Sequence, residues 1–80
     1  MAQSVIKSSQ VKYKNIATTD ADGKTEFKVN EHILLSAAAD LYVLIPYTRS
    51  GSQYWYIRAM EGSYTGHGYQ GYCLVTYIEV

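Results

Sequence analysis

Two alternating runs flank the dipeptide Asp22-Gly23. Upstream, Val11, Tyr13 and Asn15 alternate with Lys12 and Lys14. Downstream, Thr25, Phe27 and Val29 alternate with Lys24, Glu26 and Lys28. Successive side chains of a β-strand point to opposite faces, so each run reads as a strand with one buried and one wet face. Asp-Gly supplies the backbone freedom that a two-residue type I′ turn requires. The pattern predicts a β-hairpin and commits the chain to antiparallel sheet.

The rest of the chain continues in that style. Residues 31–40 carry Leu and Ala, which favour helix, but the run is short and its flanks are strand-like. Strand, irregular backbone and a short helix capped by Asn30 all remain open there. Leu41 to Tyr47 reads as a strand, and Pro46 within it predicts a sheet edge or a bulge. Arg49 to Ser52 reads as a turn, and Tyr54 to Met60 as a strand. Glu61 to Gly71 holds four of the six glycines and reads as a loop. Tyr72 to Val80 is a final strand. Residues 1–9, with the apolar pair Val5-Ile6, read as a frayed lead-in or an edge strand. No internal repeat, linker or low-complexity tract appears. Turns at roughly ten-residue spacing predict an all-β fold: a small antiparallel β-sandwich, jelly-roll-like, built from a hairpin and a meander. Residues 1–80 make one domain.

The later strands are apolar on both faces. Tyr54, Tyr56, Arg58 and Met60 face one way, and Trp55, Ile57 and Ala59 the other. Likewise Tyr72, Leu74, Thr76 and Ile78 oppose Cys73, Val75 and Tyr77. An ordinary half-wet sheet shows polar residues on one side. An 80-residue chain buries only about 60 % of its unfolded surface and gains from association. A second subunit is therefore expected to cover one face, with Tyr54, Tyr56, Tyr72 and Leu74 in a homo-oligomer interface.

Composition narrows the function. Seven basic residues balance seven acidic ones, which leaves no electrostatic footprint for duplex DNA or an anionic membrane. No apolar run of about 18 residues offers a membrane span, and no signal peptide is visible. The single cysteine, Cys73, precludes an internal disulfide and a Cys-rich zinc site, and two histidines leave little for a metal centre. No metal and no cofactor is expected. Nine tyrosines stand out, seven of them from Tyr47 to Tyr77. Tyrosine suits half-wet contact with sugar or protein, and it is also a good strand former.

Three motifs lead nowhere as chemistry. Gly66-His-Gly-Tyr-Gln-Gly71 matches a dinucleotide fingerprint, but a β-patterned run follows where a helix is required. Asp20-Ala-Asp-Gly23 resembles the start of a calcium loop, yet Lys24 falls on a ligand position. Cys73 and His67 form a conceivable nucleophilic pair, but Cys73 sits in an apolar strand without an activating neighbour. No catalytic residue is assigned.

Binding loops on a rigid scaffold are the better candidates. Two loops qualify, Arg49 to Gln53 and Glu61 to Gln70, and the longer one presents Tyr64, His67, Tyr69 and Gln70, a set able to stack on and hydrogen-bond to a sugar. In the competing arrangement, Tyr64 and Tyr69 fold back and close the core. Tyr54-Trp55-Tyr56 with Arg49 and Arg58, and the basic Lys7, Lys12 and Lys14, also admit an OB-like binder of single-stranded nucleic acid.

Leu34-Leu-Ser-Ala, Leu41-Tyr-Val-Leu-Ile-Pro-Tyr, Ser50-Gly-Ser-Gln-Tyr-Trp-Tyr-Ile-Arg and Leu74-Val-Thr-Tyr-Ile together resemble the small C-terminal β-sandwich domains of bacteriophage tail fibres and minor virion structural proteins. The resemblance covers about residues 10–80. It implies a homotrimer on the virion that attaches to a bacterial surface glycan or envelope protein, without enzymatic activity, nucleic acid or membrane insertion. Such a protein is made in the host cytoplasm. Met1 opens the chain without a preceding shaft, which implies an excised tip or a free-standing small virion protein. A free-standing carbohydrate- or protein-binding β module is the second expectation.

Overall fold

The computed structural model describes residues 7–80. The fold is all-β. Its strands are β1 Val11–Ala17, β2 Lys24–Lys28, β3 His32–Ala39, β4 Tyr42–Tyr47, β5 Tyr54–Glu61 and β6 Tyr72–Glu79. They form one antiparallel sheet in the order β1-β6-β3-β4-β5-β2. A single 3-10 turn, Ser8–Gln10, precedes β1. The Val5-Ile6 lead-in lies outside the described residues.

Residues 31–40 settle as a strand in the middle of the sheet. β3 is laddered on both sides, to β6 from His32↔Glu79 to Ala38↔Leu74 and to β4 from Ala37↔Leu44 to Ala39↔Tyr42. Two neighbouring strands, with Leu34 and Ala37 buried beneath, outweigh the helix preference of Leu and Ala. Pro46 lies beyond the end of the β3–β4 ladder and pairs only with Ile57 of β5, so the sheet is locally an edge there.

The predicted hairpin is corrected. β1 pairs along its whole length with β6, from Val11↔Ile78 to Ala17↔Tyr72, and β2 pairs with β5 through Lys24↔Tyr56 and Lys28↔Tyr54. The two runs around Asp22-Gly23 thus stand at opposite ends of the strand order. The cause lies in the connection. Thr18 is drawn away by the loop before β6: its N–H donates to Gly71 O at 3.0 Å, and its hydroxyl accepts from Gly71 N at 3.0 Å. Asp20 then shapes the turn, accepting from Gly23 N on its carbonyl (3.0 Å) and from Asp22 N on its carboxylate (2.9 Å). Gly23 has φ +77°, but Asp22 does not adopt positive φ, so the type I′ geometry is absent. Gly23 instead serves close approach. Its carbonyl accepts from Ile57 N at 2.8 Å, and a Cβ there would lie 2.1 Å from Ile57 O.

The sheet curls until its two edges face each other. Lys14 of β1 and Glu26 of β2 meet across the seam at 2.6 Å. The enclosed core draws on every strand: Ile16, Phe27, Leu34, Ala37, Leu44, Ile57, Ala59, Cys73, Val75 and Tyr77, with Tyr69 from the loop. Trp55 Nε1 donates to His32 O at 2.9 Å and ties β5 to the start of β3. The expected faces hold on β5, and on β6 as far as Tyr77. Ile57, Ala59, Cys73, Val75 and Tyr77 point inward, while Tyr72 and Leu74 point outward; Ile78, expected among the outward residues, is buried. A register shift between Leu34 and Ser36 leaves Leu35 and Ser36 both exposed.

Candidate functional site

The 61–70 loop is built as an extension of the sheet. Ala59 N donates to His67 O (3.0 Å), Gly66 N to Ala59 O (2.9 Å) and Tyr69 N to Ile57 O (2.9 Å). Gly68 forms an isolated bridge with Arg58, and a Cβ on it would lie 2.1 Å from the Asp22 backbone. The loop is therefore a strap wedged between β5 and the Asp20–Gly23 turn.

That wedge divides the four residues expected to hold a ligand. Tyr69 is only 6 % exposed. Its ring packs on Tyr42 and Tyr64, at centroid distances of 5.0 and 5.5 Å, and its hydroxyl donates to Tyr72 O at 2.8 Å. Burial pushes the Tyr69 hydroxyl above its ordinary pKa. This tyrosine closes the core and offers no ring face to a sugar. Tyr64 is half-buried against the same cluster. His67 and Gln70 are exposed.

The four residues expected at a subunit interface also separate. Tyr72, 72 % exposed, and Leu74, 45 % exposed, stand on the outer face of β6. Leu74 lies opposite Ala38, and Ala38 opposite Val43, so one apolar row crosses three strands. Ile33, Leu35 and Ile45 are further exposed apolar side chains on β3 and β4. Tyr54 and Tyr56 belong elsewhere, on β5 beside β2.

There a different surface forms. Cross-strand pairing sets Tyr56 between Tyr47 of β4 and Lys24 of β2. The Tyr47 and Tyr56 rings lie 5.9 Å apart. Arg49, in the turn after β4, lays its guanidinium 4.0 Å over the Tyr56 ring. Its Nε and Nη2 donate to the Tyr47 hydroxyl at 3.3 and 2.9 Å, and its Nη1 lies 3.5 Å from Asp22 Oδ2. The hydrogen bond with Tyr47 is the largest of the influences that hold the Arg49 pKa above its ordinary value. Arg58 sits 5.0 Å over Tyr47, and Lys24 4.7 Å over Tyr54. Three rings thus carry three cations in stacked contact. The adjoining depression, about 490 Å³, is rimmed by the Arg49–Ser52 turn.

Charge is segregated to match. Lys12, Lys14 and Lys28 pair with Glu79, Glu26 and Glu31. Lys7, Lys24 and Arg58 have no ion pair among the described residues, Arg49 has Asp22 alone, and the Asp20 carboxylate accepts from Lys24 N at 3.2 Å. The neutral total conceals a positive patch. Sequence reasoning placed Arg49 and Arg58 near Tyr54 and Tyr56 but missed Tyr47 and Lys24. Only the β4–β5 and β2–β5 pairings bring those two in, and no local spacing announces either.

Cys73 and His67 are not placed as a nucleophilic pair. Cys73 is 2 % exposed, and burial pushes its thiol up to about 11, so it stays protonated at neutral pH while His67 lies in solvent. Among the described residues no three of His, Cys, Asp and Glu gather as a ligand group for a metal. Comparison of the chain with protein-family models, curated proteins and solved structures finds no match.

Proposed function

We propose that this chain is a non-enzymatic attachment domain of the tail-fibre type, carried on a virion surface. In this reading it assembles as a homotrimer and binds a glycan or protein of the bacterial envelope. One observation carries the proposal: the apolar row Leu74, Ala38, Val43 on the outside of the sheet, flanked by Tyr72, Leu35 and Ile45. Extended apolar surface on a small soluble domain marks a contact site, and a further copy of the same chain is the partner always present. The resemblance supplies the virion setting, and its segments overlap strands β3, β4, β5 and β6.

Light scattering at micromolar concentration checks the assembly. A trimer of the 9.0 kDa chain is expected, and a monomer would count against the proposal. Labelled protein added to bacterial cells checks attachment: the expected result is saturable binding to the envelope of a host strain.

A further inference from the structure

We infer that the face formed by Tyr47, Tyr56, Arg49, Arg58 and Lys24 is a binding site for an anionic saccharide, one bearing carboxylate or phosphate groups. This rests on the attachment reading and names the ligand class. It moves the contact surface from the 61–70 loop to the Arg49–Ser52 turn and the strands beneath it.

Arg49 carries the first part of the argument. A long exposed side chain normally loses rotamer freedom on binding, which weakens its contribution. Here the guanidinium is already fixed by the Tyr47 hydroxyl, by Asp22 and by the Tyr56 ring. Of its five N–H donors, three are engaged by those contacts, which leaves two for a ligand. A planar fork held in place suits the two oxygens of a carboxylate or phosphate. Lys24 and Arg58 flank it without ion pairs of their own, so the three cations outnumber the two neighbouring acids, Asp22 and Asp20, and leave a net positive charge for an incoming anion.

The second part decides between sugar and nucleic acid. Single strands are gripped by stacking bases on open aromatic faces. Each of the three rings here already has a cation over it. What the surface presents outward is N–H donors and the Ser50 hydroxyl at the rim, while Ser52 Oγ is taken up by the Tyr56 hydroxyl at 3.2 Å and by the Tyr54 backbone. That chemistry matches a polyhydroxylated ring with an acidic substituent. The depression is open and shallow, so it suits a stretch of saccharide laid along the surface rather than an enclosed small molecule.

Titration calorimetry with oligogalacturonate (carboxylate), oligo-glycerol phosphate (phosphate), neutral malto-oligosaccharide and oligothymidylate tests the assignment. At least one anionic saccharide should bind, the neutral one should not, and affinity should fall as salt rises from about 50 to about 200 mM. Arg49→Gln should weaken binding by about tenfold or more, and Arg58→Gln should weaken it as well. Lys12→Gln, on β1 and paired with Glu79 rather than with any residue of this face, should bind like the parent, and all variants should keep the parental melting temperature and oligomeric state. Absence of binding to both anionic saccharides at millimolar concentration overturns the inference, as does unchanged affinity in Arg49→Gln and Arg58→Gln. Tighter, Arg49-dependent binding of oligothymidylate assigns the face to nucleic acid and overturns the saccharide. If parent and Arg49→Gln attach to cells equally, the ligand inference fails while the attachment reading stands. A parent that attaches to no cells sinks the attachment reading itself.

Discussion

The outer face of the sheet has two halves with opposite chemistry. Across β6, β3 and β4 it is apolar, with Leu74, Ala38 and Val43 in one row. Across β4, β5 and β2 it carries Tyr47, Tyr56 and Lys24 in a row, overlaid by Arg49 and Arg58. The backbone is the same continuous ladder, and β4 contributes to both. Period two therefore decides which side chains face outward, but it does not decide what the outside is for. That depends on which strands become neighbours. Tyr54 and Tyr56 look equivalent to Tyr72 and Leu74 along the chain, yet pairing with β2 surrounds the first pair with cations, while pairing with β3 surrounds the second with aliphatics.

Both halves depend on the curl, so the largest effect is expected where the curl is pinned. Gly23→Ala forces an L side chain to positive φ and drives a Cβ into the Ile57 carbonyl. A loss of more than about 3 kcal/mol is expected, a large share of the stability of a domain of this size. Gly51→Ala is its control, with positive φ but open space around the Cβ, and should cost only about 1 kcal/mol. Equal melting temperatures for the two variants would show that the Gly23 contact does not hold the turn. Tyr69→Ala comes next: truncating a buried aromatic should cost about 3–5 kcal/mol. If it leaves denaturant stability unchanged and abolishes cell binding, the 61–70 loop is the contact surface after all.

The apolar half is broken more gently. Val43→Glu combined with Leu74→Glu puts charge on two exposed positions of one row, so each subunit should stay folded while the proposed trimer dissociates. Apparent affinity for cells should then drop by roughly 10²–10⁴-fold through lost avidity, with single-site affinity for saccharide unchanged. Sedimentation velocity and calorimetry on the same sample separate the two effects. A variant that remains trimeric would place the interface elsewhere.

The smallest effect concerns pH. The Cys73 thiol is raised from an ordinary 9.0 to about 11 by burial. In the unfolded chain the thiol loses its proton first. Between about pH 9 and 11 the unfolded state therefore binds fewer protons than the folded one, and stability falls as pH rises. Below pH 9 this group contributes no slope. Denaturant titrations of the parent and Cys73→Ala across that window should show a shallower decline in the variant. Identical slopes would mean that the thiol is not sequestered.

Much of the fold was legible along the chain. Alternation placed Ile57, Ala59, Cys73 and Val75 inside, and Pro46 marked the spot where β4 loses a neighbour. The hairpin was misread because Asp22-Gly23 is a strong local signal, while the competing contact joins Thr18 to Gly71, far along the chain. The site was legible in part for the same reason. Arg49, Tyr54, Tyr56 and Arg58 lie close in sequence, whereas Lys24 and Tyr47 join them only through strand pairing. Tyr69 looked like a ligand residue because glycines surround it, and one of them, Gly68, in fact lets the strap lie against the Asp22 backbone.

The pairing of β1 with β6 has a consequence for biosynthesis. The first strand leaves the ribosome long before the residues that will ladder it, and β3 likewise waits for β6 on one side. Only the β3–β4–β5 meander can form from segments that emerge in succession, with β2 joining it from its earlier position once β5 is made. The nascent chain therefore carries two unpaired strand edges until residues 72–79 appear, and β6 must then find its place between two strands made earlier, a non-local pairing that costs loop-closure entropy.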